Sequence, residues 1–350
     1  MYLRSAGSGV GKTRSMVGDA CNLAYPIRYD PKFHKWVSTG MPEKVLYVMT
    51  EQDPEEIQTM ILAYLTGLNE EVFLYGTFRE EHMDRIMKAL DIMEQYKDYF
   101  LTAQVPDPCA SIIKNLFRRH NLQKGVENFF YDYIFSSPAM LNEYRDLGLR
   151  EDVCLRLFTT ALKNLAVELN VFILTSTQIS NDDGDGFKDF RNIRGSKAIV
   201  DLVDFACIMS RPSVEELKTV GGFEKLFNFT PNCVTDVFKN RRGRWNQVRI
   251  WSMVDLGTCR RYDLFVTNPS LEAITDFQVV DFVQEKSQEQ KDLEKLYNDG
   301  EVTDLMEEHL IHAFSPEIAP ASLLNEVTNA FGDMQDRKEK LKGLSIADLL

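Results

Sequence analysis

The sequence predicts an α/β fold, a mostly parallel twisted sheet with helices on both faces, followed by a C-terminal helical tail. Three observations predict it. Short apolar, β-rich runs alternate with helical periodicities, the pattern of βαβ units. A glycine-rich segment, Ala6 to Thr13, follows the first apolar run and opens the first helix. After about Phe282 the composition turns to Glu, Lys, Gln and Asp. The expected division is a sheet domain at 1–282 and an acidic helical or partly disordered tail at 283–350.

Strands are expected near Tyr2 to Ser5, Val45 to Met49, Tyr99 to Ala103, Asn128 to Tyr133, Val171 to Ser176, Phe205 to Ser210, Val234 to Phe238 and Val248 to Met253. Helices are expected over Lys12 to Leu23, Pro54 to Leu65, Cys109 to Arg119 and Arg150 to Glu168. Within the last, Leu155, Phe158, Leu162, Leu165, Ala166 and Leu169 recur at the spacing of one buried helical stripe.

Length and composition set limits on function. A chain of 350 residues with 44% apolar and 27% charged residues suits one large domain with an appendage. These values exclude collagen-like, disulfide-scaffold and wholly disordered classes. The six cysteines are scattered without a C-x-x-C pair, so they read as reduced core thiols, with zinc ligation the weaker alternative. No apolar run approaches the ~20 residues that span a bilayer, and no signal-peptide pattern opens the chain; a cytoplasmic protein without a membrane partner is expected. The net charge of -13 excludes a protein coated in nucleic-acid-binding surface. Residues 283–350 hold 15 acids and 7 bases, so any such contact must be a local basic patch in the remainder.

The segment Gly7, Ser8, Gly9, Val10, Gly11, Lys12, Thr13 and Arg14 is expected to bind ATP. Successive backbone N–H groups must turn inward to wrap phosphate oxygens, and side chains would block that approach. Lys12 would reach the β- and γ-phosphates, Thr13 would hold Mg²⁺ through its hydroxyl, and the following helix would present its positive end. A glycine-rich turn without a ligand is the bland alternative, which the Gly-Lys-Thr ending disfavours.

Acids at the ends of later strands would complete such a site. Val45 to Met49 leads to Glu51, read as a general base from its place at the carboxyl edge; a helix-capping acid is the other reading. Asp132 is a lone acid in the apolar run Phe129 to Tyr133, costly to bury unless paired, and is the expected Mg²⁺ partner. Gln178 ends the run that starts at Phe172 and is read either as a γ-phosphate sensor or as an ordinary strand-end residue.

In this order and spacing, these elements resemble the C-terminal motor domain of DnaB-type replicative DNA helicases, a RecA-like P-loop NTPase. The resemblance covers most of residues 1–255 and adds Asp132-Tyr133, Ser176-Thr177-Gln178, Arg194-Gly195-Ser196 and Phe238-Lys239-Asn240-Arg241-Arg242-Gly243. It implies a motor that couples Mg-ATP hydrolysis to translocation on single-stranded DNA. It implies a hexameric ring in which Lys239 and Arg241 act in trans on the neighbour's nucleotide, and a loader or primase partner. Residues 180–197, with Lys188, Arg191, Arg194, Gly195, Ser196 and Lys197, would grip the sugar-phosphate backbone. Nearby Asp182, Asp183, Asp185 and Asp189 leave a plain surface loop as the alternative, and a basic hairpin turn is the alternative at Arg241. The family's N-terminal domain and linker helix do not precede Ala6, so the sequence reads as a fragment, a late start, or a motor half completed by another chain. Two rival functions share the nucleotide site: a RecA-like recombination or regulatory ATPase, and a non-hydrolysing ATP-binding adaptor or loader.

Overall fold

A computed structural model describes residues 1–179, 186–193, 197–227, 230–241, 243 and 245–274, excepting the side chains of 197, 198 and 222–227. The tail expected at 283–350 lies outside the described residues. The elements run β1 (Tyr2–Ala6), α1 (Lys12–Ala24), β2 (Ile27–Asp30), β3 (Lys35–Ser38), β4 (Val45–Met49), α2 (Pro54–Thr66), α3 (Glu71–Leu74), α4 (Met83–Gln95), β5 (Phe100–Gln104) and α5 (Ala110–Lys124). They continue β6 (Asn128–Asp132), α6 (Pro138–Glu143), α7 (Glu151–Glu168), β7 (Phe172–Gln178), α8 (Lys197–Val200), β8 (Phe205–Ser210), α9 (Val214–Phe227), β9 (Cys233–Asn240), β10 (Val248–Asp255) and β11 (Arg260–Thr267).

Nine strands form one sheet in the order β11-β10-β9-β8-β1-β7-β6-β4-β5, and β2 pairs with β3 in a separate hairpin. From β8 to β5 all pairings are parallel, whereas β9, β10 and β11 add on antiparallel at one side. Parallel strands are covered on both faces and so read as continuous apolar runs. β4 fits that rule, since all of Val45 to Met49 is buried. Its side chains alternate in destination. Leu46 and Val48 join a cluster with Phe117 of α5, Phe129 and Tyr131 of β6, and Phe158 and Leu162 of α7. Tyr47 instead turns to the face that carries Thr13 of α1, where both hydroxyls meet Asp132.

Local signals set the helix ends. Pro54 occupies the first turn of α2, and Gly67 closes it in the left-handed conformation at φ 65°, its N–H on Ala63 O. Helix α1 approaches β11 so closely that a Cβ on Gly18 would lie 2.1 Å from the Cys259 carbonyl oxygen. The stripe expected on α7 is buried at Leu155, Phe158, Leu162, Leu165 and Ala166, with Leu169 packed at its margin. All six cysteines are free and buried. Among the described residues, no helix is long and apolar enough to cross a membrane.

The expected strands form, with shifted ends: β5 starts at Phe100, β6 stops at Asp132, β7 runs on to Gln178, and β9 and β10 each extend to eight residues. The β2–β3 hairpin, α4, α9 and β11 add to the elements expected. The hairpin strands are four residues each and half exposed, held by an edge contact of Tyr29 on Trp36 with centroids 5.7 Å apart, so they carry little apolar signal. β11 opens on Arg260 and Arg261, charges that hide it in the sequence; Arg260 is nevertheless buried and satisfied by the carbonyls of Tyr29 and Tyr64.

Candidate nucleotide site

Strand register gathers the site. Ala6, the last residue of β1, lies opposite Gln178, the last of β7, and Met49 of β4 lies opposite Asp132 of β6. Parallel strands that end level with one another deliver their following residues to one carboxyl edge. The glycine loop leaves β1 at this edge and turns into α1 through Gly9 at φ 72° and Gly11 at φ 98°, both in the left-handed region that glycine enters without a steric cost. At Gly11 a Cβ would also strike the Leu256 side chain at 2.2 Å.

Asp132 is wholly buried and fully engaged. Its Oδ2 accepts from the Thr13 hydroxyl at 2.6 Å and from the Tyr47 hydroxyl at 3.2 Å, while Oδ1 accepts from Ser176 at 2.8 Å. Lys12 Nζ lies 3.4 Å from Oδ1 and 3.6 Å from the centre of the Tyr133 ring. A buried carboxylate needs such compensation, because desolvating an unpaired charge costs several kcal/mol. Burial, and Asp132 beside it, push the Tyr47 phenol well above its ordinary value, so Tyr47 keeps its proton and donates it to Asp132.

Glu51 and Gln178 reach the same place from neighbouring strand exits. The Tyr133 hydroxyl donates to Glu51 Oε1 at 2.7 Å, and Gln178 Nε2 lies 3.5 Å from that hydroxyl. Thus Lys12, Thr13, Glu51, Asp132 and Gln178 converge. Tyr47 and Tyr133 complete the cluster without having been assigned a task. Tyr133 was visible as part of the Asp-Tyr pair, whereas a tyrosine inside the apolar run of β4 carries no signal of its own.

Other expected residues lie elsewhere. Arg14 was expected at the nucleotide, but its guanidinium turns away to pair with Glu70 and donates to Leu256 O at 2.8 Å. Lys239 and Arg241 sit at the opposite edge of the sheet. Lys239 pairs with Ala206 near the start of β8, which runs level with the start of β1, so about 13 Å of strand separates this level from the glycine loop. Lys239 Nζ donates to Val200 O at 2.5 Å; burial and the charge of Arg241 hold its pKa below the usual lysine value. Arg241 donates to Asp201 O at 2.7 Å and lies 3.8 Å from Asp204.

Of the loop at 180–197, an Ile179 to Ile193 bridge closes the base. Arg191 is exposed and pairs with Asp189 at 2.9 Å. Lys188 departs from the expectation of a surface cation: it is buried, with its backbone N–H donating to Asp236 at 2.9 Å. Beneath it, buried Arg249 bonds Asp236 at 2.8 Å and Glu216 at 2.7 Å, and Glu216 also accepts from Gly186 N at 3.2 Å. Arg194, Gly195 and Ser196 lie outside the described residues, as does the Lys197 side chain; its backbone starts α8.

Comparison with known proteins matches residues 1–256 to the family model described as DnaB-like helicase C terminal domain. A curated relative, the SPbeta prophage-derived uncharacterized protein YorI of Bacillus subtilis (strain 168), is 34% identical over 283 residues, covering 78% of this chain and 56% of its own length. The chain therefore spans about half the length of that relative. Among solved structures, the ATPase domain of G40P aligns with a TM-score of 0.56 at 14% identity, over 75% of this chain and 84% of that one. A DnaB-like replicative helicase, described with its interactions with primase, aligns at 0.55 and 13% identity, over 75% of this chain and 56% of that one. At such identities the structural matches establish the fold alone, a RecA-like architecture.

Proposed function

The chain belongs to the family of DnaB-like helicase C-terminal domains, and from that premise we propose that it is an ATP-hydrolysing motor that moves along single-stranded DNA. The observation that most supports this reading is the meeting of Lys12, Thr13, Glu51 and Asp132, which come from three separate strand exits, at one end of the sheet. Folding alone gives no reason to bury the Asp132 carboxylate beside a glycine loop and a lysine, since desolvating it costs free energy.

The donor set fits a divalent ion. The Thr13 hydroxyl and the buried Asp132 carboxylate offer hard oxygen ligands, and hard oxygens are what Mg²⁺ takes. When bound, the ion would neutralise phosphate charge. The backbone from Gly7 to Gly11 would wrap the phosphates while Lys12 gives up part of its contact with Asp132 to reach them. Glu51 would orient the attacking water and take its proton, and Gln178, level with the glycine loop, would register what occupies the site.

Lys239 and Arg241 are too far from their own glycine loop to serve it. Their place at the opposite edge is consistent with action on a neighbouring copy, in a ring of six. Arg191 and the stem of the 180–197 loop are the proposed DNA contacts; Mg²⁺ and ATP are the proposed cofactor and substrate, and a primase or loader the proposed partner class. The test is ATP turnover with and without single-stranded DNA. Lys12→Ala is expected to lower turnover at least 100-fold; turnover equal to wild type would end the enzyme reading. ATP binding without turnover in the wild type, even with DNA, would select the adaptor function instead.

A further inference from the structure

Tyr133 touches three candidate catalytic groups at once. Its hydroxyl donates to Glu51 at 2.7 Å and faces the Gln178 amide at 3.5 Å, while its ring face carries the Lys12 ammonium at 3.6 Å. These partners belong to the exits of β4 and β7 and to the first turn of α1. Only tyrosine supplies both a π face and a hydroxyl donor on one rigid side chain.

The backbone around it is fixed from both sides. Tyr133 N donates to Thr50 Oγ1 at 3.3 Å, and Thr50 N in turn donates to Asp132 O at 3.0 Å. On the other side Ile134 N donates to Ser176 O at 2.9 Å. The ring is therefore carried by the ends of β4 and β7, and its position is set by the sheet, not by the loop that follows.

We propose that Tyr133 is the positioning residue for hydrolysis: its hydroxyl fixes the Glu51 carboxylate, and its ring holds the Lys12 ammonium over the phosphate site. The inference rests on the ATPase reading above. Glu51 is exposed and flexible by nature, and a general base that samples several rotamers spends little time in the attacking geometry. With Oε1 engaged by the phenol, Oε2 is the oxygen left to accept from the attacking water. The lysine is held by a second, separable device, attraction to the ring quadrupole, which excludes water from one side of the ammonium.

The two devices are separated by two substitutions in the full chain, assayed with Mg-ATP and single-stranded DNA. Tyr133→Phe keeps the ring and removes the hydroxyl; kcat is expected to fall roughly tenfold or more with KM for ATP unchanged. Tyr133→Leu removes both, and is expected to lose as much kcat and also bind a fluorescent ATP analogue several-fold more weakly. A Tyr133→Phe variant with wild-type kcat, or one whose KM rises as far as kcat falls, overturns the proposal. Lys12→Ala is run in parallel. If it turns over normally, the nucleotide-site reading itself has failed; if it is silent while Tyr133→Phe is unaltered, only the assignment of Tyr133 falls.

Discussion

Asp236 shows burial outweighing pairing at a single residue. Its carboxylate accepts from Arg249 and from Lys188 N, yet burial raises its pKa to about 6 against the opposing pull of Arg249. A value above the 3.8 of the free side chain means that folding favours the protonated form. The stability gained from that proton is fully present below about pH 4 and is lost as pH rises through about 6. Comparing wild type with Asp236→Asn by chemical denaturation isolates the effect. Between pH 4 and 7 the difference in unfolding free energy should move in favour of the variant by on the order of 3 kcal/mol; a pH-independent difference would refute the assignment. Single residues also mark the limit of sequence reading. The positions of Lys12, Thr13 and Asp132 follow from motif and strand order, but the direction of Arg14 does not. It is decided by Glu70 and Leu256, which are distant in sequence.

Elements built from long apolar runs were legible because burial on both faces leaves no other composition. β4 and β8 match their expected spans, and α7 presents the stripe read from its periodicity. Short or charged elements were not legible. The β2–β3 hairpin buries too little to impose a pattern, and β11 opens on two arginines, Arg260 turned inward onto carbonyls and Arg261 paired with Asp263. The packing of α1 on β11 was equally invisible, since it depends on the absence of a side chain at Gly18. Gly18→Ala places a methyl group 2.1 Å from the Cys259 carbonyl, so α1 or β11 must shift. A loss of about 1–3 kcal/mol is expected in urea unfolding. The equivalent change at Gly221, where nothing among the described residues lies within 4 Å of the added carbon, is the control and should not destabilise.

At the scale of the whole molecule, the sheet separates the two halves of the proposed reaction. The glycine loop and its acids occupy the carboxyl edge, while Lys239 and Arg241 occupy the amino edge of the same strands. Under the trans arrangement, Lys12→Ala and Arg241→Ala chains are each inactive alone for opposite reasons. Mixed, they should recover part of the wild-type turnover, because a Lys12→Ala chain can offer its intact Arg241 to a neighbour whose glycine loop is intact. Recovery no greater than the sum of the separate activities would place Arg241 outside the reaction.

The closing of the 180–197 loop has a further consequence. Gly186 and Lys188 are tied to Glu216 and Asp236, and Arg211, which follows β8, donates to Gly9 O of the glycine loop at 3.1 Å. Glu216 also accepts from Ser213 N at 2.9 Å, two residues beyond Arg211. The segment from Arg211 to Glu216 thus has one end on the glycine loop and the other on the stem of the loop proposed to contact DNA. A shift of a fraction of an ångström at Gly9 has a route to that stem through two hydrogen bonds and the five peptide links between Arg211 and Glu216.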